Sequence, residues 1–213
     1  MSRTVLVEPE RLAGWFDRFA KRHGPIAHTD LAPHKVSVHA EDGATAEVTV
    51  PFGPLDVAAA GVRQGLAVDE LVAHLLRPRR VALLLVRLGG HSAGVAADGT
   101  VVLSSTDRRL VHGRHRAGGS SSGRFARRRE GQARVALQAA ADTAARVLLP
   151  ELSSVDAVVL GGDRRAIDAL RGDPRLAPLF ARAEPAVLDV PQPRRTVLDD
   201  AARRARCARI VVS

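Results

Sequence analysis

The stretch Arg80-Val-Ala-Leu-Leu-Leu-Val-Arg-Leu88 decides how the rest of the chain is read. An unbroken apolar run of strand length describes a strand with no wet face, the kind that sits centrally in a sheet covered on both sides. Downstream, residues 91–96 and 100–105 flank Ala97-Asp98-Gly99, and an Asp-Gly turn between two apolar runs predicts a hairpin or meander. Over residues 124–149, Ala133, Ala136, Leu137, Ala140, Ala144, Val147 and Leu148 recur at helical spacing until Pro150 stops the longest helix in the chain. Residues 155–160 and 186–190 read as strands, 163–170 as a helix N-capped by Asp163, 196–206 as a further helix and 208–212 as a last strand. Strands first, then helix and strand in alternation, predict an α/β (α+β) fold: a mixed sheet with flanking helices, of the ribonuclease-H-like kind.

Upstream of this region the pattern is different. Residues 4–7 suit a short strand. Pro9 suits a first helical turn, and Leu12, Trp15, Phe16 and Phe19 share one helical face before Gly24. Residues 36–39 and 46–50 flank Glu41-Asp42-Gly43 as a hairpin, and 68–76 form a second helix closed by Pro78. The expected organisation is therefore a small N-terminal α+β subdomain over 1–78 and a larger domain over 79–213.

Composition sets the class. A hydrophobic share of 46% with 26% charged residues is that of a folded globular chain. Aromatics make up only 3%, so Val, Leu and Ala must build the core. Cys207 is the single cysteine, which leaves no disulfide to form within the chain. No apolar run reaches the roughly 20 residues of a membrane span, and the N-terminus lacks a signal-peptide layout, so a cytoplasmic protein without a membrane partner is expected.

The net charge is +9, and its distribution matters more than its size. Between Arg108 and Arg129 lie eight arginines, two histidines and no acidic residue. Within this stretch, Gly118, Gly119 and Gly123 surround Ser120, Ser121 and Ser122, which suits an open loop rather than a core. The loop then runs into the long helix, putting Arg127, Arg128 and Arg129 in its first turns, where the helix dipole disfavours cations. A polyanion would offset that conflict. Arginine forks, helix amides and a glycine backbone all suit phosphate, so Arg114, Arg116, Arg124, Arg127, Arg128 and Arg129 are candidate RNA contacts.

The run Ala117-Gly-Gly-Ser-Ser-Ser-Gly-Arg-Phe-Ala-Arg-Arg-Arg129, ahead of Gln132-Ala133-Arg134, resembles the signature of the actinobacterial release-factor-like family of peptidyl-tRNA hydrolases. That family is similar to the catalytic domain of eukaryotic and archaeal peptide-chain release factors and to the ankyrin-repeat and zinc-finger hydrolase of ribosome quality control. In element order the resemblance covers about 79–213, and it is specific around Gly118 to Gln132. It implies a ribonuclease-H-like release-factor domain, ribosome and tRNA as partners, and a loop of Gly118, Gly119, Ser121, Ser122 and Gly123 at the ester of peptidyl-tRNA. Family members usually carry Gly-Gly-Trp-Ser-Gln-Gln before the Arg-Phe pair, the first glutamine helping to place the attacking water. Here Ser120 replaces the tryptophan, Ser122 that glutamine and Gly123 its neighbour. A serine hydroxyl has a shorter reach than the glutamine amide, and backbone N–H groups survive the change.

Other chemistries fit less well. Gly119-Ser-Ser-Ser-Gly123 matches the pattern of an esterase elbow around Ser121, but no histidine follows His115. His112 and His115 stand among arginines that repel a cation, and His23, His28, His34 and His39 read as ordinary polar residues, so neither metal nor cofactor is expected. Gly161-Gly162-Asp163 reads as a helix start. Two functions remain open: a peptidyl-tRNA hydrolase of ribosome rescue, or a non-catalytic ribosome- or tRNA-binding relative. Cleavage of the tRNA itself is a third option.

Overall fold

A computed structural model describes residues 2–56, 60–108 and 122–213, and of 108 and 122–129 the backbone alone. The chain divides into two compact units, Met1–Pro78 with Arg204–Ser213, and Arg79–Arg203.

The first unit holds strands β1 (Arg3–Val7), β2 (Ile26–Ala32), β3 (Lys35–Ala40), β4 (Thr45–Thr49) and β5 (Gly61–Gln64), and helices α1 (Leu12–His23) and α2 (Asp69–Leu76). Its sheet is completed from the far end of the chain by the last strand, β11 (Ala208–Val212), in the order β1-β11-β4-β3-β2-β5. The strands pair antiparallel throughout, β11 lying between β1 and β4. Alternation gives this sheet one apolar face, where Val36, Val38, Ala46, Val48 and Ile210 are each wholly buried. Leu12, Phe16 and Phe19 of α1 and Leu71 and Leu75 of α2 belong to the same core. Trp15, expected with them, is partly buried at the margin and stacks on Phe19 at a ring-centroid distance of 5.7 Å.

Placing the last strand with 79–213 is corrected by this pairing. Ala-Arg-Ile-Val-Val has the alternation of a one-sided strand, and the first sheet offers it two antiparallel neighbours. Two strands were also unforeseen. β2 carries His28, Thr29 and Asp30 in its middle, which breaks the apolar alternation, and β5 is exposed along its whole length.

The second unit contains β6 (Arg80–Arg87), β7 (Gly90–Ala97), β8 (Thr100–Arg108), α3 (Ser122–Leu148), β9 (Ala157–Gly162), α4 (Arg164–Arg171), α5 (Ala177–Ala181), β10 (Ala183–Leu188) and α6 (Arg195–Ala205), the last helix running past its boundary. The sheet order is β10-β9-β6-β7-β8. β6, β7 and β8 form an antiparallel meander, while β9 lies parallel to β6 and β10 parallel to β9. This is the expected mixed sheet with flanking helices, and the whole chain is α+β.

β6 is central and dry on both faces, Val81 to Val86 each being at most 7% exposed. On one side Ala82, Leu84 and Val86 meet Ala140, Ala141, Ala144 and Leu148 of α3 and Ile167 and Leu170 of α4. Facing the other way, Gly94 of β7 leaves room for Leu198 of α6, since a Cβ at Gly94 would fall 2.8 Å from the Leu198 Cδ2. Asp163 caps α4 as expected, its carboxylate accepting from the Arg165 amide at 2.9 Å. Gly162, at φ +107°, turns the end of β9 into that cap, and a Cβ there would collide with the Val86 carbonyl. Gly162→Ala is therefore expected to destabilise the protein by roughly 2–3 kcal/mol. Gly131→Ala, in open space on α3, should stabilise it by about 0.5–1 kcal/mol. Urea unfolding of the two variants checks both signs.

Candidate functional site

The basic Gly/Ser segment joins β8, an edge strand of the second sheet, to the start of α3. α3 has 27 residues, about 40 Å at 1.5 Å per residue. Among its described side chains the buried ones run from Ala136 to Leu148, at positions 136, 140, 141, 143, 144, 147 and 148. That spacing is one helical face, and it lies in the C-terminal half.

Polar contacts hold the same half. His91 of β7, 1% exposed, places Nε2 2.9 Å from the Thr143 hydroxyl. Arg146 donates to the Ser105 hydroxyl of β8 at 3.1 Å. Arg175 lies in a short 3-10 turn after α4 and grips two carboxylates, Asp142 of α3 at 2.9 Å and Asp173 at 2.6 Å. Its hydrogen bonds hold both Asp142 and Asp173 below the usual carboxylate range, and Gln138 adds a donor to Asp142 at 3.0 Å.

The N-terminal half carries the candidate residues. Gly118, Gly119, Ser121, Arg114 and Arg116 lie outside the described residues. Ser122, Gly123, Arg124, Arg127, Arg128 and Arg129 have their backbone in the first two turns of α3, which begins two residues earlier than the expected Arg124. The shift changes the electrostatic argument. The dipole acts mainly within the first turn, so its conflict falls on Arg124, while Arg127 to Arg129 occupy the second turn. No acidic residue stands in the first turn to offset it, and Glu130 is the first acid after Asp107.

A small cleft of about 180 Å³ opens at the carboxyl ends of β6 and β9, between Val86, Arg87, Ala133, Leu137, Asp163 and Ala166. Sheet ends of this kind commonly bind ligands. The lining here is mostly apolar, and the Asp163 carboxylate is engaged as a helix cap. Among the described residues, the cleft lining holds no nucleophile with a base beside it. Among the described residues no helix is long and apolar enough to cross a membrane.

The family described as the Actinobacteria/chloroflexi VLRF1 release factor matches residues 79–211. The chain belongs to this family. The match begins where the second unit begins and ends within β11, so its last part is a strand of the first sheet. No curated protein matches the chain. Solved structures that resemble it include the archaeal translation termination factor aRF1, at 12% identity and a TM-score of 0.48, covering 93% of this chain and 70% of that one. A structure titled only as an archaeal protein aligns at 11% identity and a TM-score of 0.43, over 77% of this chain and 48% of that one. Archaeoglobus fulgidus Pelota aligns at 14% identity and a TM-score of 0.31, over 95% of this chain and 61% of that one.

The Arg175 bridge yields a pH prediction. A folded-state carboxylate pKa below its ordinary value stabilises at and above that value, and the contribution disappears as pH falls through the folded pKa. The Tm difference between wild type and Arg175→Ala should therefore be constant from about pH 5 to 7 and shrink below about pH 4. Thermal melts across this range check it.

Proposed function

We propose that the chain is a peptidyl-tRNA hydrolase that acts on ribosomes in rescue of stalled translation, in the cytoplasm. The observation that carries this reading is an acid-free run of eight arginines around a Gly/Ser-rich sequence, leading into a long helix in a member of a release-factor family. Gly118, Gly119, Ser121, Ser122 and Gly123 meet the ester between peptide and tRNA. Arg114, Arg116, Arg124, Arg127, Arg128 and Arg129 contact phosphates of tRNA or ribosomal RNA. The helix suits this task mechanically, because its C-terminal half is anchored by packing and by Thr143, Arg146 and Asp142.

Chemically, the step is attack of water on the ester carbonyl, with the tRNA 3′ hydroxyl as leaving group. Loop amides suit the developing oxyanion, and Ser122 orients the water. A serine in place of a glutamine weakens that orientation. Loss of a positioned donor costs about 2.7–4 kcal/mol of barrier, and the Ser122 position therefore favours a second reading, a relative that binds ribosome or tRNA without turnover.

Peptide release from stalled ribosome complexes separates the two. Release above a Gly119→Ala, Ser122→Ala control is expected, with intact tRNA as the co-product, and a faster rate for Ser122→Gln. Binding without release supports the second reading, and a shortened tRNA would show strand cleavage instead. For either reading, replacing Arg127, Arg128 and Arg129 together by alanine should weaken RNA binding. The slope of log K against log salt should fall by about 2 to 3. Salt-insensitive binding would overturn the phosphate assignment.

A further inference from the structure

The polar face of the first sheet carries side chains that the release reading does not use. His28 and Asp30 are two residues apart on β2 and so share a face. Strand pairing sets His39 of β3 directly opposite His28. One ligand atom from each of the three residues lies within 4.8 Å of the others. The Asp30 Oδ2 stands 3.1 Å from the His39 Nε2 and 3.8 Å from the His28 Nε2. The two imidazoles stack with centroids 4.4 Å apart and planes 12° from parallel.

We propose that His28, Asp30 and His39 form a binding site for a first-row divalent metal ion of the zinc type. Two imidazole nitrogens and one carboxylate oxygen are the donor set that such borderline ions favour, and water can complete the coordination. The scaffold is rigid beneath the ligands. Between His28 and Asp30, Thr29 is fully buried, donating to the Gly65 carbonyl at 2.7 Å and accepting from the Ala67 amide at 3.1 Å. Leu31 and Val38 are buried in the core on the same side. Both strands are thus fixed in register, and the three ligands start close to a common point.

Metal entry needs a small adjustment. Ligand atoms on a tetrahedral ion with bonds of 2.0–2.1 Å lie about 3.3 Å apart, and stacked rings direct their lone pairs in parallel rather than at one point. Each ring must therefore turn about its Cβ–Cγ bond. The side chains of His28, Asp30 and His39 are 37%, 44% and 31% exposed, which leaves them room to do so. For His39 Nε2 to ligate, the ring takes the tautomer with its proton on Nδ1, so that the Nε2 lone pair and the Asp30 carboxylate both face the ion. His112 and His115 have the right spacing for a helix face but stand among arginines, whereas the side chain beside His28 across the β2–β5 pairing is the uncharged Gln64.

Calorimetric titration of the full chain with zinc in a non-chelating buffer tests the site. One ion per chain with a micromolar Kd is expected, weakened about tenfold or more by His39→Ala and by Asp30→Asn. His34→Ala and the double replacement His112→Ala, His115→Ala should bind as wild type. A second measurement needs no variant: zinc should protect His28 and His39 of the wild-type chain from diethylpyrocarbonate, mapped by peptide mass. Absence of zinc binding by wild type, full affinity in His39→Ala and Asp30→Asn, or protection confined to other histidines would each overturn the assignment. Peptide release plays no part in these readouts, so the two proposals fail separately.

Discussion

The burial of β6 on both faces constrains the second unit more than any other feature. Each of its leucines contributes about 1.5–3 kcal/mol when moved out of water, and that gain requires cover on two sides. Helices α3 and α4 supply one side and α6 the other. With both faces covered, β9 can run parallel to β6. A parallel neighbour requires a long crossover rather than a hairpin. The return from the edge strand β8 to β9 runs through α3, and the basic segment precedes that helix in sequence.

α3 is the longest helix among the described residues. Its buried side chains, among those described, span Ala136 to Leu148, about half of the helix. Thr143, Arg146 and Asp142 tie that half to the sheet and to the turn at Arg175. The other half carries the cluster of arginines, where burial would require an expensive loss of hydration. The packed half of the helix is thus anchored at its C-terminal end, and the arginine-rich sequence lies at the other.

The polar histidines show why chemistry can be hidden in a readable chain. His-Thr-Asp at 28–30 has the alternation of a strand with one polar face, but its polar residues obscured the apolar pattern that would have marked β2. His39 lies 11 residues further on and meets His28 only through the β2–β3 register. The available signal was a His-x-Asp pair on a strand beside a hairpin that holds another histidine. Recognising it required β2 to be identified as the hairpin's neighbour.

The dry run at Arg80–Arg87, the Asp-Gly meander, the alanine-rich stripe of α3 and the Asp163 cap were all legible from the sequence, because each depends on short-range periodicity or local hydrogen bonding. The acid-free arginine run was equally plain, since charge is a property of composition. The tertiary structure decided which sheet takes the last strand, because Ala208–Val212 has an apolar face that either sheet could use, and only pairing with β1 and β4 resolves it. It also decided the start of α3 at Ser122, which moves the dipole conflict from Arg127–Arg129 to Arg124. Long-range pairing and helix ends depend on neighbours distant in sequence, and these the chain reveals only when folded.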